Sequence, residues 1–184
     1  EMLYGKTVRS TIPRGIIKEI KFDPSFDWSQ VVVADYRDIP GRNVVALIED
    51  DQPLLVEREV RHHAEPVLLL ASKDREMLAA AAQHVRIIYE EKKPILSPEE
   101  AIAAGEGGDR EMIIHKTDNT IKKYLILRGD LAAGFAQAEV IVEGTYRTGL
   151  QEHIYIEPQG MIAIPGPDRS ITVQGSLQCP YYVH

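Results

Sequence analysis

The chain has 184 residues, 44% hydrophobic and 27% charged, which is the balance of a soluble globular protein. A formal net charge of −7 leaves no basic stripe for nucleic acid or an anionic membrane, so neither is expected as a partner. No apolar run approaches the ~20 residues needed to cross a bilayer, and the single Cys179 excludes a disulfide framework, a four-thiolate metal site and a ligated iron–sulfur cluster.

In chain order, "MLYGKTVRS" and "GIIKEIKF" alternate as strands do, with Pro13 between them. "DPSFDWSQ" reads as a turn or one helical turn, and "VVVADY" as a more buried strand ended by the Pro-Gly of "RDIPGRN". "VVALI" is a further strand, followed by the acidic loop "EDDQP". The clearest unit runs from Pro66 to Glu91. "VLLLA" is a strand, Ser72 is placed as the N-cap of a helix over "KDREMLAAAAQHV", and "VRIIYEE" is a strand. Met77, Leu78, Ala81 and Val85 have the spacing of a buried helical stripe.

"SPEEAIAAG" carries a capping box of Ser97 and Glu100 with Pro98 at the first helical position, and runs into the Gly-rich loop "GEGGDR". This region reads as a connector. "TIKKYLIL" predicts a strand, "GDLAAGFAQA" a short helix capped by Asp130, and "EVIVEGTYRT" and "GLQEHIYIE" two more strands. "GPDR" is a turn and "SITVQGSLQ" the returning strand of a hairpin. The start at Glu1-Met2 and the unfinished helix signal at Pro180 read as a piece of a longer polypeptide. No targeting leader is visible.

If "GLQEHIYIE" is a strand, Gln151, His153, Tyr155 and Glu157 share one face. His153 and Glu157 then stand two pleats apart with no third ligand at metal-binding spacing, so no metal is expected there. These groups are expected to satisfy backbone at a domain seam. The adjacent His62 and His63 point to opposite faces of a surface loop and would not share a ligand. His84 ends a helix, where an imidazole interacts favourably with the terminal carbonyls. His115 sits in the connector without a nameable partner. "GEGGD" lacks the phosphate-loop pattern, and no nucleophile elbow or dinucleotide fingerprint occurs. Cys179 stands before a helix start, where a thiol pKa can fall, but a lone cysteine there is more often packed. Gln178 ends a strand at the same boundary. A neutral amide there can donate to an oxo or carbonyl oxygen and accept from a hydroxyl without adding charge.

The order "YGKTVRSTIPRGIIKEI", "DIPGRN", "PLLVEREVRHHAEPVLLLAS", "AAAAQHVRIIYEE" resembles the α/β-hammerhead domain of the xanthine dehydrogenase and aldehyde oxidase family. "RGDLAAGFAQAEVIVEGTYRTGLQEHIYIEPQGMIA" and "GSLQCPYYVH" resemble the entry into that family's molybdenum-binding domain. The resemblance implies an α+β fold with a hammerhead at 1–95, a connector at 96–116 and a truncated molybdopterin-binding domain at 117–184. It implies a molybdenum–pterin cofactor that hydroxylates an electron-poor carbon with water as oxygen source, the cofactor carrying the hard chemistry. Two [2Fe–2S] clusters and FAD are expected on partner domains or subunits, with a purine, a related heterocycle or an aldehyde as substrate, in the cytoplasm. Gln178 matches the glutamine that hydrogen-bonds the metal's ligand sphere. The family's Gly-rich cofactor segment and its late glutamate base have no counterpart in these residues. The fragment alone is therefore expected to be inactive and to hold no cofactor. The alternative is a non-catalytic α+β scaffold that assembles through its strand edges.

Overall fold

The computed structural model describes residues 2–45, 49–177 and 179. The chain divides into two compact units, Glu1–Lys123 and Tyr124–His184.

Two three-stranded antiparallel sheets build the first unit. In one, β5 (Pro66–Ser72) runs between β1 (Tyr4–Arg9) and β3 (Val32–Ala34). The "VLLLA" run takes the centre because it is apolar on both faces, and Val67, Leu68 and Leu70 are all fully buried. In the other sheet, β2 (Gly15–Phe22) runs between β4 (Glu59–Val60) and β6 (Val85–Glu91). Ile17 and Ile20 are three positions apart and would face opposite ways on a regular strand. The register shifts between Ile17 and Glu19, and this bulge lets both pack on the same core.

Helix α1 (Arg75–Gln83) joins β5 to β6. The expected strand–helix–strand unit is present, but its two strands belong to different sheets. Leu68 packs with Ile12, Val56, Val60 and Val67, and Leu70, two positions on, packs against Leu78 and Ala81 of α1. Each fully buried leucine contributes about 1.5–3 kcal/mol relative to exposure. One strand face thus serves two cores.

The cap of α1 differs from the sequence expectation. Asp74 is the N-cap, its carboxylate accepting from the Glu76 and Met77 amides at 2.7 and 3.2 Å. Ser72 is held in β5 opposite Tyr4, and its hydroxyl accepts from the Asp74 amide at 3.3 Å. Strand pairing continues through Ser72 and moves the helix start two residues on.

Helix α2 (Pro98–Gly107) begins as expected, with Ser97 Oγ accepting from the Glu100 amide at 3.1 Å. The Glu100 carboxylate receives the Leu96 amide instead of the Ser97 amide. The helix runs through the first half of the predicted Gly-rich loop and closes at Gly108, whose left-handed φ of 67° suits glycine. A 3-10 turn, Arg110–Met112, follows.

The second unit contains α3 (Leu131–Gln137), capped by Asp130 through the Ala133 amide at 2.9 Å, and a hairpin of β7 (Met161–Pro165) with β8 (Ile171–Gly175). The strands expected over "TIKKYLIL", "EVIVEGTYRT" and "GLQEHIYIE" are not formed. Their alternation specifies a face, but a strand also needs a hydrogen-bonded neighbour, and none lies beside them among the described residues. Leu150 and Ile156 are 108% and 100% exposed, and Ile154 takes a φ of 49° that interrupts any ladder. No described helix is long and apolar enough to cross a membrane.

Candidate functional site

Gln178, expected to meet a cofactor, lies outside the described residues, and so does Pro180. The approach to it is described. Beyond β8, the Ser176 amide donates to the Gly160 carbonyl at 3.2 Å and the Ser176 hydroxyl donates to Glu157 Oε1 at 2.9 Å. A Cβ on Gly175 would strike the Gly160 carbonyl, so the backbones are in close approach there. Glu157 therefore serves as an ordinary hydrogen-bond acceptor for Ser176, which stands two residues before Gln178. His153 stacks on Tyr155 with ring centroids 5.7 Å apart, and its amide donates to Glu152 Oε1 at 2.9 Å. Cys179 is a free, half-buried thiol.

A cleft of about 570 Å³ lies in the first unit beside β2 and β3. Ile17, Ile20, Phe22, Trp28 and Leu68 give it an apolar wall. Its Asp35 and Arg37 already bind each other, at 2.5 Å between Arg37 Nη2 and Asp35 Oδ2, and the guanidinium holds the Asp35 carboxyl below its usual range. The cleft offers shape and an ion pair, with no activated nucleophile.

The histidines sort clearly. His62 turns its Nδ1 to the His63 carbonyl at 3.1 Å, within the exposed loop that adjacency implied. His84 caps α1, but its Nδ1 is paired with Asp23 Oδ2 at 3.0 Å, and its ring stacks on Phe26 at 4.8 Å. Asp23 titrates at about 2, chiefly because the Ser25 hydroxyl donates to it and secondarily because of His84. His115 approaches Asp51, Nε2 to Oδ2, at 3.9 Å. Glu49 completes a group whose ligand atoms all lie within 4.8 Å. Sequence reasoning missed both pairings because the partners are distant in sequence and no local pattern links them. His153 and Glu157 do not join this group, the one of its kind among the described residues.

The model for "Aldehyde oxidase and xanthine dehydrogenase, a/b hammerhead domain" matches residues 1–93, and that for "Molybdopterin cofactor-binding domain" matches residues 114–184. Among curated relatives, a probable xanthine dehydrogenase component of Bacillus subtilis is 29% identical over 181 residues, 98% of this chain and 24% of that protein. The nicotinate dehydrogenase large molybdopterin subunit of Eubacterium barkeri is 30% identical over 183 residues, 99% of this chain and 42% of that protein. The chain thus spans less than half the length of these relatives. Among solved structures, the aldehyde oxidoreductase of Desulfovibrio gigas is similar with a TM-score of 0.70 at 25% identity, covering 94% of this chain and 20% of that one. With the two matched models in the same order as the two sequence resemblances, the chain belongs to the aldehyde oxidase and xanthine dehydrogenase family, as a hammerhead domain followed by part of a molybdopterin cofactor-binding domain.

Proposed function

We propose that this chain is part of the molybdenum-binding subunit of a cytoplasmic molybdenum hydroxylase acting on a purine, a related heterocycle or an aldehyde. The observation that carries the reading is the succession of the two matched domains, at 1–93 and 114–184, in one chain. The names of the relatives, a xanthine dehydrogenase and a nicotinate dehydrogenase, support a heterocyclic substrate. Iron–sulfur and FAD domains or subunits would take the electrons, and the remaining chain of the molybdenum subunit would complete the site. We divide the chain at 1–95, 96–116 and 117–184, a division supported by the gap between the matched models.

The described residues do not by themselves fit a pterin. The hairpin strands of the second unit are exposed along their whole length and enclose no pocket wall of their own. No step through the cofactor is therefore assigned to these residues. Gln178 is the one residue for which we infer a role beside the metal: its amide donates into the metal's ligand sphere without adding charge.

The test is expression of the complete reading frame. The protein is expected to carry molybdenum and to reduce a dye with xanthine, nicotinate or an aldehyde. Metal-free protein from a host that loads a control hydroxylase would overturn the reading and favour the scaffold. In the loaded enzyme, Gln178→Ala should cost roughly 10–100-fold in turnover and alter the molybdenum(V) resonance spectrum at unchanged metal content. A loss under about threefold with an unaltered spectrum would remove the role.

A further inference from the structure

We propose that Glu49, Asp51 and His115 form a binding site for one zinc-class divalent cation within the first compact unit. The site would hold the ion through one imidazole nitrogen and two carboxylate oxygens. These ligand atoms lie within 4.8 Å of one another. Ligands sharing a tetrahedral zinc stand ~3.3 Å apart, so closure needs shifts of about an ångström, within the reach of side-chain rotation.

His115 gives the second, independent observation. Its Nε2 is shut away from solvent and has no hydrogen-bond partner, and the whole side chain is only 19% exposed. A buried ring nitrogen beyond hydrogen-bond reach of its carboxylate neighbour Asp51 is costly and calls for an explanation. An ion between it and Asp51 Oδ2, 3.9 Å away, supplies one. The donor set narrows the ion. One imidazole and two carboxylates suit zinc, whereas calcium takes six to eight oxygens.

Both halves of the site are held by backbone. On one side, the Val45 amide donates to the Gln52 carbonyl at 2.7 Å, and Asn43 exchanges two hydrogen bonds with Leu55. Asp50 is drawn to Arg42 at 2.5 Å, while Asp51 faces His115 and Glu49 stays within 4.8 Å of both. On the other side, Asn119 Oδ1 accepts from the Ile114 and His115 amides at 2.8 and 3.3 Å, and Asn119 Nδ2 donates to the Met112 carbonyl at 2.9 Å. Lys116 and Asn119 are both in left-handed backbone, φ 51° and 63°, a conformation that asparagine accepts readily through the local hydrogen bonds just named. Such support is what a metal site needs.

Two lysines balance the Glu49 carboxylate without an ion. Lys116 lies 2.6 Å and Lys122 3.7 Å from Glu49, both partly exposed on flexible stems. Zinc would displace them into solvent and join the 49–51 loop to the 112–119 turn.

Calorimetric titration of the purified chain with zinc chloride tests the site. One ion per chain is expected, with affinity at least about tenfold weaker in Asp51→Asn and His115→Ala and unchanged in a His62→Ala/His63→Ala variant. Cobalt should give visible absorption bands that the same two variants lose. Lys116→Gln removes a competing ammonium and should bind zinc about threefold more tightly, an effect that a merely structural lysine would not produce. Undetectable binding at ~1 mM zinc, or equal affinity in the wild type and Asp51→Asn, would overturn the proposal, the latter identifying an adventitious ion only.

Discussion

Arg14 donates from Nη2 to the Glu111 carbonyl at 2.5 Å, tying the start of β2 to the turn beyond α2. The same guanidinium donates from Nη1 to the Lys93 carbonyl at 2.9 Å and lies 3.6 Å from Glu59. At 4% exposure it is a buried charge that only this set of partners makes tolerable. Arg14→Met should destabilise the chain by about 2–4 kcal/mol by stranding the Glu111 and Lys93 carbonyls, while Glu59 keeps Lys92 at 3.6 Å. Residues 96–112 should also become sensitive to limited protease. An unchanged urea midpoint would refute the latch.

Gly15 lies against β6. A Cβ there would be 2.6 Å from Ile12 Cδ1 and 2.8 Å from the Glu90 carbonyl. Backbone cannot yield as a side chain can, so Gly15→Ala should cost about 1–3 kcal/mol. Gly5 on β1 faces open space, and Gly5→Ala should stay within about 0.5 kcal/mol. Thermal melts of the pair check the contrast, and equal shifts would contradict it.

The cap of α1 gives a sharper comparison. Asp74→Ala removes the acceptor of two helix amides and should cost about 1 kcal/mol, with a loss of helical circular dichroism. Ser72→Ala leaves those two amides satisfied. If Ser72→Ala reduced helicity more than Asp74→Ala, the cap assignment would be wrong.

Asp23 titrates at about 2 in the fold, below the 3.8 of an unperturbed side chain. A depressed carboxyl stabilises fully above the unfolded value, so its contribution is complete above 3.8 and is lost as pH falls through about 2. Ser25→Ala should raise the Asp23 pKa more than His84→Gln does, since the serine hydrogen bond is the larger cause. Carbon-detected titration of the carboxyl measures both. The reverse order would show that the histidine governs the pair.

Sequence and structure agree most closely where burial and pairing coincide. "VLLLA" has both faces apolar and occupies the middle of a sheet, and Leu78 and Ala81 of the helical stripe pack beneath it. Asp130 and Ser97 cap as read because a cap is a local event. The cap read at Ser72 moved to Asp74 because of a long-range event, the pairing of Ser72 with Tyr4. The alternating residues around His153 were legible as a pattern, but a pattern cannot supply the neighbour that a ladder requires. His115 and Asp51 meet only after the chain has folded, so no spacing rule could find them.

The β7–β8 hairpin has a practical consequence. Met161, Ala163, Pro165, Ile171 and Val173 occupy one face of a two-stranded ribbon and remain open to solvent. Among the described residues no further strand pairs with either outer edge of that ribbon, and two strands alone are marginal in water. A preparation of this chain is therefore prone to self-association through added strands, at a rate that rises with protein concentration. Val173→Lys would blunt that face and should delay turbidity on storage, giving a soluble variant for the titrations above.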